Sequence, residues 1–224
     1  MGGVCCGHIR IIDQTNETEN GLQIDPLCNP DYTNVLSRPP SIFILGSETA
    51  GKTILFLRII YPYADISDLV SVTKPTNTLH VEPYNIYSKD VLLWDVGGDH
   101  LITDAMVDAL NQIHVYAIIY VVSMLETSSN QLLKERQRLY RLVCHPLAMQ
   151  IKFLVVLNTF GAFNDQENPA QSKDTENVLV RTLHLQTFID MLGPQRFRYT
   201  KANVKDGLDD PNLADALAQL ALNP

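Results

Sequence analysis

Gly46-Ser47-Glu48-Thr49-Ala50-Gly51-Lys52-Thr53 decides how this chain is read. The stretch matches G-x-x-x-x-G-K-[ST], and each fixed position has a chemical reason. Gly46 and Gly51 let the backbone curl so that its amides, those of Ser47, Glu48, Thr49 and Ala50 included, converge on phosphate oxygens. A helix that opens near Lys52 adds the positive end of its dipole. The Lys52 ammonium reaches terminal phosphates, and the Thr53 hydroxyl is a ligand for Mg²⁺. Immediately upstream, Ser41-Ile42-Phe43-Ile44-Leu45 has the apolar character of a buried strand, and residues 52–60 follow with helical spacing. Strand, glycine loop and helix in that order are the context the motif requires.

Outward from this loop, residues 78–87, 91–96, 115–122, 151–157 and 197–201 read as further strands. Residues 130–144, 175–192 and 213–220 read as helices, the first closed by Pro146 and the last opened by Asp210-Pro211, a capping side chain before a first-turn proline. Strands alternating with helices predict right-handed crossovers. The expected fold is α/β: a doubly wound, mostly parallel six-stranded sheet flanked by helices, in one domain over residues 41–224. Residues 1–40 are rich in Asn, Asp, Pro and Thr without periodicity and are expected to form a flexible extension.

A second group of residues falls where such a fold binds ligands. Trp94-Asp95-Val96-Gly97-Gly98 ends a strand, which places Asp95 at a carboxyl end, where open α/β sheets line their crevice. There Asp95 can hold Mg²⁺ through water, and the Gly98 amide can meet a γ-phosphate. Asn158 occupies the corresponding end of the strand over residues 151–157.

These motifs resemble the Arf family of small GTPases. Trp94-Asp95-Val96-Gly97-Gly98 is similar to the family's WDVGG element, and Pro75-Thr76-Asn77-Thr78-Leu79-His80-Val81-Glu82 looks like its switch I segment. The resemblance implies a small G domain of the P-loop NTPase class that binds GTP or GDP with Mg²⁺. It makes Thr76 the switch threonine, whose hydroxyl meets the metal and whose amide senses the γ-phosphate. It puts Asn158 at the guanine-reading NKxD motif and makes Ala202 the residue whose amide touches the guanine carbonyl. Exchange factors, GTPase-activating proteins and effectors are the implied partners.

Three positions depart from the family pattern. Asp99 stands where the family has the glutamine that orients the attacking water; a carboxylate is shorter, cannot donate when ionised and adds charge beside the γ-phosphate. As the only candidate catalytic residue, Asp99 predicts slow hydrolysis. The guanine motif reads Asn158-Thr159-Phe160-Gly161, so Gly161 offers no carboxylate to the base edge and Thr159 no lysine stem. A bidentate base contact is worth roughly 1–3 kcal/mol, so its loss erodes a preference for GTP over ATP.

The N-terminus Met1-Gly2-Gly3-Val4-Cys5-Cys6 presents Gly2 for myristoylation and Cys5 and Cys6 for palmitoylation, although Cys6 replaces the usual Ser or Thr. One acyl chain binds membranes marginally, and adjacent cysteines supply the second anchor. A formal net charge of −8 disfavours nucleic acid and anionic surfaces as partners. No run approaches the roughly 18 apolar residues of a membrane helix, and no basic-then-apolar leader is present. The expected function is a GTP-binding Arf-like switch with weak hydrolysis, cytoplasmic and peripheral on a membrane, in membrane trafficking. The alternatives are a pseudo-GTPase interaction module and a P-loop NTPase with relaxed base specificity.

Overall fold

Alternation along two strands organises the molecule into layers. In β1 (Ser41–Gly46), Phe43 and Leu45 point to one side of the sheet and Ile42 and Ile44 to the other. In β4 (Val115–Ser123), Ile118, Tyr120 and Val122 join the first side, and Ala117, Ile119 and Val121 the second. Strands apolar on both faces belong in the middle of a covered sheet. The computed structural model describes residues 39–65, 79–97, 113–126, 128–162 and 169–222. The lipidation candidates Gly2, Cys5 and Cys6, together with Thr76, Gly98 and Asp99, lie outside the described residues.

The remaining elements are α1 (Lys52–Ile60), β2 (Leu79–Ile86), β3 (Lys89–Val96), α2 (Ser129–Val143), β5 (Lys152–Asn158), α3 (Pro169–Thr182), α4 (Leu185–Leu192), β6 (Phe197–Ala202) and α5 (Pro211–Leu222). The sheet has six strands in the order β2-β3-β1-β4-β5-β6; only β2 runs antiparallel to its neighbour. This is the doubly wound, mostly parallel arrangement the sequence predicts. Leu55, Phe56 and Ile59 of α1 and Leu213, Leu217 and Leu220 of α5 cover one face. Leu132, Leu139 and Leu142 of α2, Leu179 of α3 and Leu185 and Phe188 of α4 cover the other. Each such side chain contributes about 1.5–3 kcal/mol on burial.

One expected helix is two. Residues 175–192 divide at His184, whose φ of 58° is left-handed, and α3 starts earlier than expected, at Pro169. The reason is packing. Leu183 and Leu185 are both fully buried, yet positions two apart lie on opposite sides of a continuous helix. The turn at His184 lets both face the sheet.

Asp210 caps α5 as its sequence position predicts: Oδ1 accepts from the Asn212 and Leu213 amides at 2.9 and 3.1 Å. At the other end of α5, Lys152 Nζ and the Tyr116 hydroxyl donate to the Leu220 carbonyl at 2.8 and 2.9 Å, tying the helix to the start of β5.

The β2–β3 hairpin closes through Tyr87 and Ser88, both left-handed at φ 47° and 67°, as a two-residue primed turn requires. In such a turn the flanking pair, Ile86 and Lys89, exchanges ladder bonds, so every second residue before Ile86 faces β3. Pro83 falls on the outward set, the one place a strand accommodates a residue with no N–H.

Candidate functional site

The loop after β1 bends because its first glycine can. Gly46 has φ 139° and pairs with Val121 of β4, and a Cβ there would land on the Val121 carbonyl. Gly51, at φ 98°, is equally confined: a Cβ would meet Asn158 Nδ2 at 2.5 Å and Val204 Cγ2 at 3.1 Å. Between them the backbone turns, and α1 begins at Lys52.

Lys52 is buried within this curl, and its ammonium donates to the Ser47 carbonyl at 2.6 Å. Burial lowers its pKa, while the negative charges of Asp95, Glu135 and Glu48 pull the other way. Beside it, the Thr53 hydroxyl donates to Asp95 Oδ2 at 2.8 Å, with Asp95 fully buried at the carboxyl end of β3. A hydroxyl and a carboxylate are hard oxygen donors of the type Mg²⁺ selects, and they stand next to the lysine of the curled loop. The residues present therefore fit a magnesium–polyphosphate complex. Gly46 through Thr53 and Asp95 lie together in the fold.

Asn158 comes to the same place. It is fully buried, with Nδ2 donating to the Ala50 carbonyl at 2.9 Å and Oδ1 accepting from the Phe160 and Val204 amides at 3.1 and 3.3 Å. It fastens three loops to one another: the phosphate loop, the turn after β5 and the turn after β6. Ala202 is buried next to it, its carbonyl accepting the Thr159 amide at 3.0 Å.

Beside these groups opens a cleft of about 640 Å³ lined by Ser47, Glu48 and Thr49 on one side and by Phe160, Gly161 and Lys205 on another. Leu125 and Glu126, in the turn after β4, line it as well, with Ser123 and Ala162. Sequence reasoning assigned no part in the site to Phe160, Lys205, Leu125 or Glu126. The only signal for them was their position just after strand carboxyl ends, where ligand loops occur.

A buried carboxylate lies within electrostatic reach of the cradle. Glu135 of α2 accepts from the Tyr120 hydroxyl at 2.6 Å, and from Gln131 and Arg138 at 3.0 Å each. Burial raises its pKa above the ordinary 4.5, against the Tyr120 hydrogen bond and the charges of Arg138 and Lys52. The folded chain thus holds this proton more tightly than the unfolded chain. Stability from this group is fully present below 4.5 and is lost as pH rises through the folded value. Urea unfolding of the wild type, referenced to Glu135→Gln at each pH, should show the wild type losing ground as pH rises from about 4.5 toward neutral. A difference that does not change with pH would show the carboxyl to be unshifted.

Among the described residues, no helix is long and apolar enough to cross a membrane. Comparison with known proteins adds three kinds of finding. The family model described as "Arf: ADP-ribosylation factor family" matches residues 33–209. No curated protein matches the chain in sequence. Among solved structures, the Arl6 (BBS3) small GTPase of Trypanosoma brucei with bound nucleotide analogue GppNp is similar at TM-score 0.58 and 17% identity, over 82% of this chain and 95% of that one. The mammalian SRP receptor structure is similar at TM-score 0.54 and 16% identity, over 81% of this chain and all of that one. The signal recognition particle receptor SRb-GTP/SRX complex from Chaetomium thermophilum follows at TM-score 0.52 and 16% identity, over 75% and 92%. At these identities the likeness is one of fold.

Proposed function

The chain belongs to the ADP-ribosylation factor family, and from that premise we propose that it is a nucleotide-dependent switch binding a magnesium–nucleoside triphosphate, GTP included. The observation that carries this reading is the Thr53–Asp95 pair at 2.8 Å beside a lysine enclosed by its own loop. When bound, Mg²⁺ neutralises phosphate charge there. Thr53 would hold it directly and Asp95 through water, with Thr76 as the third contact, while the loop amides and Lys52 bind the phosphates. Thr76 and the Gly98 amide would be ordered by the γ-phosphate, and partners would read that order. Gly2, Cys5 and Cys6 are the proposed acylation sites that place the switch on a membrane, in membrane trafficking.

Hydrolysis in this reading is slow, because Asp99 cannot orient the attacking water as a glutamine does. Binding of labelled GTP and GDP with and without Mg²⁺, followed by phosphate release, tests both halves. Tight binding that depends on Mg²⁺ supports the switch; no binding leaves an interaction module without nucleotide. Asp99→Gln is expected to raise phosphate release roughly tenfold or more without tightening GTP binding. Equal release from both forms would remove Asp99 from the explanation.

A further inference from the structure

The wall of the cleft that follows β5 is aromatic. Phe160 is partly exposed and lines the cleft with Ser47, Glu48 and Thr49. Its ring leans over the phosphate loop, with Cε1 3.4 Å from where a Cβ on Gly51 would stand. The backbone holds it there at φ 52°, a left-handed conformation that a bulky residue adopts only under constraint. The constraint is the Phe160 amide's bond to Asn158 Oδ1 at 3.1 Å and the Gly161 amide's bond to Thr159 Oγ1 at 3.3 Å. The same turn buries Thr159, leaving the Phe160 ring rather than a side-chain stem at the cleft.

The turn after β5 offers no side-chain acceptor to a guanine edge at the Gly161 position. Gly161 has no side chain, and the side chain nearest to where its Cβ would stand is Asn203, at 3.3 Å. That amide is already committed, donating to Asp206 Oδ2 at 2.9 Å and accepting from the Lys205 amide at 3.3 Å. Lys205 lines the cleft as a donor only. A ring face, by contrast, is common to every purine, and base–aromatic stacking tolerates any base.

We infer that Phe160 is the base-stacking residue of this site: it holds the purine by its face, so GTP and ATP bind with comparable affinity. The inference rests on the nucleotide-binding reading above. It makes the ligand class purine nucleoside triphosphates rather than guanine nucleotides alone.

The test titrates GTP, ATP and inorganic tripolyphosphate, each with Mg²⁺, against the full-length wild type and its Phe160→Ala, Phe160→Tyr and Lys52→Ala variants. Wild-type affinities for GTP and ATP should agree within about tenfold. Phe160→Ala should weaken both by roughly ten- to a hundredfold, Phe160→Tyr should restore both, and tripolyphosphate should bind wild type, Phe160→Ala and Phe160→Tyr equally. Unchanged tripolyphosphate binding also shows that the alanine variant keeps its phosphate loop. If Phe160→Ala leaves GTP affinity intact while Lys52→Ala removes it, the stacking role falls and the switch reading stands. A preference for GTP over ATP beyond about a thousandfold also overturns the inference, because edge reading of that size leaves no need for a face. A wild type that binds no nucleotide sinks both readings together.

Discussion

Lys52→Ala is expected to weaken binding of magnesium–GTP by at least about 100-fold. Charge-assisted hydrogen bonds are worth roughly 1.5–3 kcal/mol each, and a lysine at this position spans two phosphates. The enclosure of Lys52 strengthens the expectation. Its ammonium is buried and its bond to the Ser47 carbonyl is 2.6 Å long, so the side chain is aimed into the loop before any ligand arrives. Removing it also takes away the cation that Asp95, Glu135 and Glu48 face, so the variant's thermal midpoint must be recorded beside its affinity. A folded Lys52→Ala protein with GTP affinity within about threefold of wild type would leave the proposed site without its central contact.

Gly46→Ala is expected to destabilise the fold itself by at least about 3 kcal/mol, out of the 5–15 kcal/mol available to an ordinary domain. Two effects combine. At φ 139° the backbone is where side chains are rarely found, and the new methyl would overlap the Val121 carbonyl, with the Val121 amide nitrogen only 3.2 Å away. These are backbone atoms of the central β1–β4 pair, which no side-chain rotation can move aside. Relief requires the middle of the sheet to part where the phosphate loop begins. Urea unfolding checks this, and a change below about 1 kcal/mol would mean the loop bends by some other route.

What could be read in advance followed from local chemistry. The phosphate loop, Asp95 at a strand end and the alternating strands each carry their meaning within a few consecutive residues, and they assemble as that meaning implies. Asp210 was legible as a cap for the same reason. The break at His184 was not, because Leu183 and Leu185 demand a turn only once the sheet is there for both to reach. For Asn158 the sequence supplied a position and no set of bonds. A motif position says where the residue sits, whereas its three hydrogen bonds run to Ala50, Phe160 and Val204, two of them far along the chain. Phe160 carried no assignment in the sequence; its left-handed backbone and its approach to Gly51 exist only in three dimensions.

Pro83 bears on how the molecule behaves in company. Among the described residues β2 and β6 are the sheet's outer strands, and the groups β2 turns outward belong to Leu79, Val81, Pro83 and Asn85. An incoming strand that tried to lengthen the sheet would find a donor missing in the middle of its run. This border is thereby guarded against strand addition, and a protein that docks along it must win its specificity from side chains.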